Sequence, residues 1–171
     1  MSEQTLPVKF ADVVELDIPP FDDRPAITLE FTSIKEGEKR LIEAKVVNPA
    51  TYSELEYSFN EGYREAKKNL SIIGYEITQA ERIQRRIKSE LILDEYPFFL
   101  RENKLRDSAT IRDAFLERNQ LYVDAQERIN MLKAMESLVD GKIRVFENVC
   151  RFMRKGMDIL IRSGSINPNK Y

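Results

Sequence analysis

The strongest pattern in the chain is an apolar stripe over residues 111–160 that advances in alternating steps of four and three residues. This alternation averages about 3.5 residues and is typical of a helix that follows a left-handed supercoil. Two stripe positions, Arg118 and Glu136, are charged, and Asp140-Gly141 is the one point at which the sequence leaves a kink open. The pattern predicts a single helix over about residues 109–162, roughly 80 Å long.

A second apolar stripe lies beside the first in the C-terminal half of this helix. Its members recur every seven residues, and two more apolar residues fill the gap between the stripes. The residues concerned are Met131, Leu138, Val145, Phe152 and Ile159, with Met135 and Val149 between the stripes. Together the stripes cover an arc of roughly 160°, which is wider than the seam that one neighbouring helix covers. We therefore expect this face to build a homo-oligomer; the alternative is that it faces one compact monomeric core.

An earlier stretch, from Phe59 to Leu91, shows the same alternation of four and three residues. It predicts a second coiled-coil-like helix over about residues 50–95, with Pro97 as its expected end. The connector that follows, residues 96–107, has a length that usually turns the chain back on itself. We therefore expect the two long helices to be antiparallel.

The N-terminal part of the chain is expected to hold an arm and a small β-hairpin. Residues 1–25 contain four prolines with acidic residues between them, although residues 10–18 could form an edge strand. Residues 27–32 alternate apolar and polar side chains, and residues 40–47 form a second candidate strand after a turn that contains Gly37. Two strands are marginal alone, so the hairpin must pack on helices or pair across subunits.

The expected fold class is mainly α, with two long antiparallel coiled-coil-like helices and a small N-terminal β-hairpin. Its segments in chain order are an acidic arm, the β-hairpin, the long helical hairpin and a tail, over residues 1–25, 26–47, 48–164 and 165–171. A glycine at 164 is expected to stop the long helix.

The composition excludes several classes of function. The 171 residues include no histidine and one cysteine, which removes zinc sites and histidine-based acid–base catalysis. There is no glycine-rich phosphate loop, and the acidic residues are spread along helix faces without a paired constellation. We therefore expect no enzymatic activity, no metal and no cofactor. The chain has no run of about 18 apolar residues and no signal peptide, so we expect a cytoplasmic protein without a membrane partner.

The net charge of −2 conceals a marked asymmetry along the chain. Residues 62–88 carry seven basic side chains against three acidic ones. In the following connector, aromatic residues adjoin basic residues. Cations on a helix suit a phosphate backbone, and aromatic rings beside cations can hold single-stranded nucleic acid. The candidate binding residues are Lys67, Lys68, Arg82, Arg85, Arg86, Lys88, Tyr96, Phe98, Phe99, Arg101, Lys104 and Arg106. The alternatives are a solvated basic face and a pair of phenylalanines that plug the end of the helical pair.

The first 30 residues carry the opposite charge, with seven acidic side chains against two basic ones. One interpretation is that these residues serve only to keep the chain in solution. The two functional alternatives are that the arm lies over the basic face and competes with nucleic acid, or that it presents an acidic docking peptide to a partner.

Several features together resemble the phage recombination mediators of the UvsY type. These are a basic first helix, a connector and a long second helix, with residues 145–151 (VFENVCR) and 158–164 (DILIRSG) near the end of that helix. The resemblance covers about residues 51–164. This chain departs from the family in that its basic residues stand further from the helix end, and the arm and hairpin are additional.

The resemblance implies a protein that binds single-stranded DNA, forms a homo-oligomer and helps a RecA-like recombinase displace single-strand-binding protein. It would place Arg82, Arg85, Arg86 and Lys88 in the DNA-binding region and the end of the long helix in the assembly region. For a phage-encoded chain the location is the host cytoplasm. The main alternative is a structural or scaffolding oligomer of a virion or complex that binds no nucleic acid, and a third possibility is an adaptor or inhibitor whose acidic arm mimics DNA.

Overall fold

The computed structural model describes residues 14–44 and 49–163. Within them, a π-helical turn over Leu91–Glu95 joins two of the α-helices. The elements in chain order are β1 (Glu15–Ile18), β2 (Ile27–Glu30), α1 (Thr32–Glu43), α2 (Pro49–Glu90), α3 (Tyr96–Glu102), α4 (Ala109–Glu117) and α5 (Gln120–Arg162). The chain divides into a terminal unit, formed by residues up to 70 and from 138, and a central unit, residues 71–137. Helices α2 and α5 contribute to both units.

The expected fold class is confirmed, since helices dominate the described residues and a two-stranded antiparallel sheet precedes the long helices. In each unit, α2 residues with higher numbers contact α5 residues with lower numbers, so the two helices run antiparallel. The contacts are Glu56 with Arg154 at 3.5 Å and Phe59 with Phe146 in the terminal unit, and Glu81 with Lys133 at 3.3 Å and Gln84 with Gln126 at 2.7 Å in the central unit.

The β-hairpin is formed by residues that lie earlier than expected. The strand expected from residue 27 is confirmed as β2, but its partner is β1, which falls in the segment assigned to the acidic arm. Leu16 pairs with Leu29 and Ile18 with Ile27, so one face of the hairpin is apolar. The prolines at 19 and 20 end β1, because neither can donate to the ladder.

The prediction of a second strand at residues 40–47 is wrong, because residues 32–43 form α1. Positions 45–47 lie outside the described residues. The apolar positions Phe31 and Ile34 are three residues apart and are both buried, which is the spacing of a helix face. Gly37 suggested a turn, but it is buried inside α1.

Two polar side chains of α2 fix the junction between β2 and α1. The Glu65 carboxylate accepts a 2.9 Å hydrogen bond from the backbone N–H of Ile34, in the first turn of α1. The buried Asn69 side chain donates a 2.6 Å hydrogen bond to the carbonyl of Glu30. Glu65 and Asn69 stand one helical turn apart on α2. One face of α2 therefore supplies hydrogen-bond partners for a backbone N–H at the start of α1 and for a backbone carbonyl at the end of β2.

The terminal unit is packed around the fully buried ring of Phe146 on α5. A β-carbon built on Gly37 of α1 would lie 2.7 Å from this ring, and one on Gly62 of α2 would also lie 2.7 Å from it. Real β-carbons essentially never come so close. Both glycines are therefore needed for α1 and α2 to approach Phe146.

The single helix expected over residues 109–162 is interrupted at Arg118-Asn119, which separates α4 from α5. The Asn119 side chain accepts a 3.3 Å hydrogen bond from the backbone N–H of Tyr122, which is an N-cap contact. The interruption coincides with the charged position of the apolar stripe. Helix α5 continues through Asp140 and Gly141 without a break.

The first long helix also ends differently from expectation. Helix α2 ends at Glu90, the π-helical turn follows, and Pro97 stands in the first turn of α3 rather than beyond the end of a helix. The residue before Pro97 takes part in the π-helical turn, since the backbone N–H of Tyr96 donates to the Leu91 carbonyl.

Two opposite charges lie in the core of the central unit. Glu76 and Arg128 are both buried. Burial lowers the pKa of Arg128, and the Glu76 charge opposes that shift. A buried pair of this kind favours one register between the helices that carry it, because a slip would leave each charge without compensation.

No helix within residues 14–44 and 49–163 is long and apolar enough to cross a bilayer. Three sequence-based expectations fall outside the described residues: the first part of the acidic arm, the stop at residue 164 and the tail.

The packing around Phe146 gives a stability prediction. Gly37→Ala or Gly62→Ala should destabilise the protein by about 1–3 kcal/mol, because the added methyl group overpacks the ring. The matched control is Gly141→Ala, where nothing lies within 4 Å of the added β-carbon. It should stabilise α5 by about 0.5–1 kcal/mol. Urea denaturation followed by circular dichroism measures all three, and a Gly37→Ala protein as stable as the Gly141→Ala protein would contradict the packing account.

Candidate nucleic-acid interface

The basic residues near the end of α2 are exposed, as the apolar periodicity predicted. Arg85 donates from its Nε to the Glu81 carbonyl at 3.2 Å, and Arg86 lies 4.0 Å from the Glu90 carboxylate. An exposed ion pair such as that of Arg86 contributes little to stability. The cluster in the central unit consists of Arg82, Arg85, Arg86 and Lys88.

Lys67 and Lys68 belong to the terminal unit and are also exposed. The Lys67 ammonium lies 5.5 Å from the centroid of the Tyr63 ring, one helical turn earlier on α2. This geometry is that of a surface cation–π contact.

The three aromatic residues around α3 have different environments. Tyr96 is 4% exposed, and its ring contacts those of Phe99 and Phe115 at centroid distances of 6.3 and 5.2 Å. Phe99 is half-buried in the same cluster, and the centroid of its ring lies 5.1 Å from that of Phe115. Phe98 is 61% exposed, and the Arg101 guanidinium lies over its ring at 4.8 Å. Of the three aromatic side chains, Phe98 alone presents an open ring surface.

Helix α3 ends in a Schellman motif that carries a basic residue. Lys104 adopts a left-handed conformation with φ of 51°, and the Leu105 N–H donates to the Leu100 carbonyl at 3.0 Å. Lysine is an unusual choice for this position, which favours glycine. The motif leaves Lys104 and the following Arg106 exposed.

The central unit contains a cleft of about 430 Å³ between the end of α2 and the start of α4. Three cationic side chains line it: Arg85 and Lys88 from α2, and Arg112 from α4. The remaining lining residues are Ser89, Ile92, Ala109 and Asp113. Sequence reasoning identified the cations of α2 but missed Arg112, because nothing in the sequence indicates that the start of α4 lies beside the end of α2.

Arg112 is held by two residues of the preceding segment. Its Nη2 donates to the two Asp107 carboxylate oxygens at 3.0 and 2.7 Å, and its guanidinium lies 5.9 Å from the centroid of the Tyr96 ring. The Tyr96 hydroxyl in turn donates a 2.8 Å hydrogen bond to Asp107. Burial and this hydrogen bond raise the pKa of Tyr96, so its hydroxyl stays a donor at neutral pH. The three side chains form a closed cluster.

The second apolar stripe of α5 is exposed in the terminal unit. Val145, Phe152 and Ile159 are 39%, 73% and 66% exposed, whereas Phe146 and Met153, one position further along, are buried. Exposed apolar residues seven positions apart form a continuous line along one helix face. The other residues assigned to assembly, Met131, Met135, Leu138 and Val149, are half-buried.

Comparison with protein-family models, curated proteins and solved structures finds no match to this chain. Among the described residues, no group of three or more His, Cys, Asp or Glu side chains is arranged to hold a metal ion. The features that bear on function are the cleft, the exposed Phe98 ring and the exposed stripe of α5.

The different environments of the two phenylalanines give a second prediction. Phe99→Ala should cost about 2–3 kcal/mol of stability because it removes ring contacts with Tyr96 and Phe115. Phe98→Ala should change stability by less than about 0.5 kcal/mol, because Phe98 is exposed. Urea denaturation provides both values. A larger loss for Phe98→Ala than for Phe99→Ala would contradict the assignment of Phe98 to the surface.

Proposed function

We propose that this protein is a non-enzymatic, single-stranded DNA-binding protein that acts as a recombination mediator. The observation that carries the proposal is the cleft of the central unit, where Arg85, Lys88 and Arg112 come from two different helices to line one concavity. Each phosphate that such cations neutralise releases bound counterions, which favours binding at low salt. The exposed Phe98 ring in the same unit supplies a surface on which a base can stack.

The proposed DNA contacts follow the exposed residues. They comprise Arg82, Arg85, Arg86, Lys88, Arg112, Phe98, Arg101, Lys104 and Arg106, with Lys67 and Lys68 as contacts in the terminal unit. Tyr96 and Phe99 are not included, because they pack in the central unit. A few exposed cations per subunit bind weakly, so useful affinity requires several subunits to act on one strand.

Assembly through the exposed stripe of α5 would supply these additional subunits. Val145, Phe152 and Ile159 lie in the terminal unit, whereas the cleft lies in the central unit. Burial of the three side chains against another copy would stabilise the assembly by the hydrophobic effect. In this proposal the terminal unit holds the oligomer together, and the central unit provides most of the DNA contacts.

The protein partners come from the resemblance to recombination mediators. We expect a RecA-like recombinase and a single-strand-binding protein to share the DNA with this protein. The oligomer would hold the strand while the recombinase replaces the single-strand-binding protein.

A scaffolding oligomer without nucleic acid is the second candidate function. It is favoured by two acidic residues at the cleft: Asp113 lines it, and Asp107 already pairs with Arg112. These carboxylates offset part of the positive charge. In this alternative the exposed stripe of α5 is the functional surface.

DNA binding is tested by fluorescence anisotropy of labelled oligo-dT at low and at physiological salt. We expect affinity to fall steeply as salt rises, and the double variant Arg85→Glu/Arg86→Glu to weaken binding at low salt by at least about tenfold. The control is Arg144→Glu/Arg151→Glu, which makes the same charge change on exposed residues of the terminal unit. Absence of binding by the wild type at low salt would exclude the mediator and favour the scaffold.

Assembly is tested by light scattering coupled to gel filtration. Phe152→Glu should lower the oligomer mass, because a charge would be buried in the interface without a partner. The Arg85→Glu/Arg86→Glu variant should have the same oligomer mass as the wild type. Equal loss of assembly by the two variants would contradict the division of roles between the units.

A further inference from the structure

Arg112 is held at a defined position by two neighbouring side chains. Asp107 binds its Nη2 and Tyr96 lies beneath its guanidinium. Its Nε is buried and has no hydrogen-bond partner among the described residues. The Arg112 side chain as a whole is 42% exposed, and Asp107 uses only its Nη2. Because a guanidinium has five N–H donors, Arg112 keeps donors for a further hydrogen-bond acceptor.

The surroundings of Arg112 select an anion as that acceptor. Arg85 and Lys88 line the same cleft, so cationic donors reach it from α2 as well as from α4. A backbone phosphodiester carries its negative charge on two non-bridging oxygens, and each oxygen can accept hydrogen bonds from more than one cationic side chain. Two carboxylates act against anion binding. Asp113 lines the cleft, and Asp107 offsets part of the positive charge of Arg112.

We propose that the cleft binds one phosphate group, with Arg112 as a phosphate-binding residue and Asp107 and Tyr96 as its positioning residues. This inference rests on the proposed DNA-binding function for the source of the phosphate, which is a backbone phosphodiester of single-stranded DNA. A terminal phosphate of a strand offers the same chemistry.

The role of Arg112 is tested by Arg112→Gln, with Arg118→Gln as the matched control. Arg118 is exposed in the same unit, carries the same charge and does not line the cleft. Anisotropy with oligo-dT should show about a five- to tenfold weaker affinity for Arg112→Gln at low salt. The slope of log affinity against log salt should become shallower by about 0.7, the value for one contact to a single-strand phosphate. Equal effects of the two variants, or an unchanged slope for Arg112→Gln, would overturn the proposal.

The positioning role of Asp107 predicts opposite results for two variants of equal charge change. Asp113→Asn should strengthen binding, because it removes a carboxylate that repels phosphate. Asp107→Asn should weaken binding although it also removes a negative charge, because Arg112 loses the carboxylate that orients it. Circular dichroism confirms that each variant is folded. Strengthening by both variants would overturn the positioning role.

Nuclear magnetic resonance tests the contact directly and separates the two proposals. The Nε–H resonance of Arg112 should shift when oligo-dT without a terminal phosphate is added, and Arg112→Gln identifies that resonance. A shift only with a 5′-phosphorylated strand would overturn the backbone source. DNA binding without any shift would overturn the phosphate site but not the proposed function. If oligo-dT does not bind at all, the proposed function fails, and titration with inorganic phosphate then decides the site by the presence or absence of the shift.

Discussion

The structure depends on the close packing of Phe146 against two glycines. Because Gly37 and Gly62 carry no side chains, α1 and α2 can both approach the ring, and the three helices of the terminal unit meet there. Successive residues of a helix point about 100° apart. With Phe146 held inward, the rotation of α5 is set, and Val145 and Phe152 are left on the outer face. The contact that stabilises the unit therefore also determines which apolar residues remain for assembly.

The long helices could be predicted because their signal is repeated many times. The main apolar stripe has ten positions in the first long helix and fifteen in the second, so one exception such as Arg118 changes the end of a helix but not its existence. The N-terminal part has few positions, and Gly37 can indicate either a turn or a close contact. Only the packing of Phe146 distinguishes these roles, which is why α1 was mistaken for part of a hairpin.

The candidate site could be predicted from the sequence only in part. Exposure of Arg85 and Lys88 follows from their place opposite the apolar stripe, and the structure agrees. The burial of Tyr96 and the position of Arg112 could not be read from the sequence, because Asp107 joins residues eleven positions earlier and five positions later. Such a cluster exists only once the connector has folded. The sequence therefore predicted the basic face but not the residues that shape its cleft.

The central claim is that several copies, joined through the terminal unit, bind one DNA strand through their central units. Native mass spectrometry of the wild-type protein with a long oligo-dT tests it most directly, because it counts protein chains and DNA strands in the same particle. The account predicts particles that contain several protein chains and one strand, together with protein oligomers when DNA is absent. Monomers alone, or oligomers that never carry DNA, would contradict it.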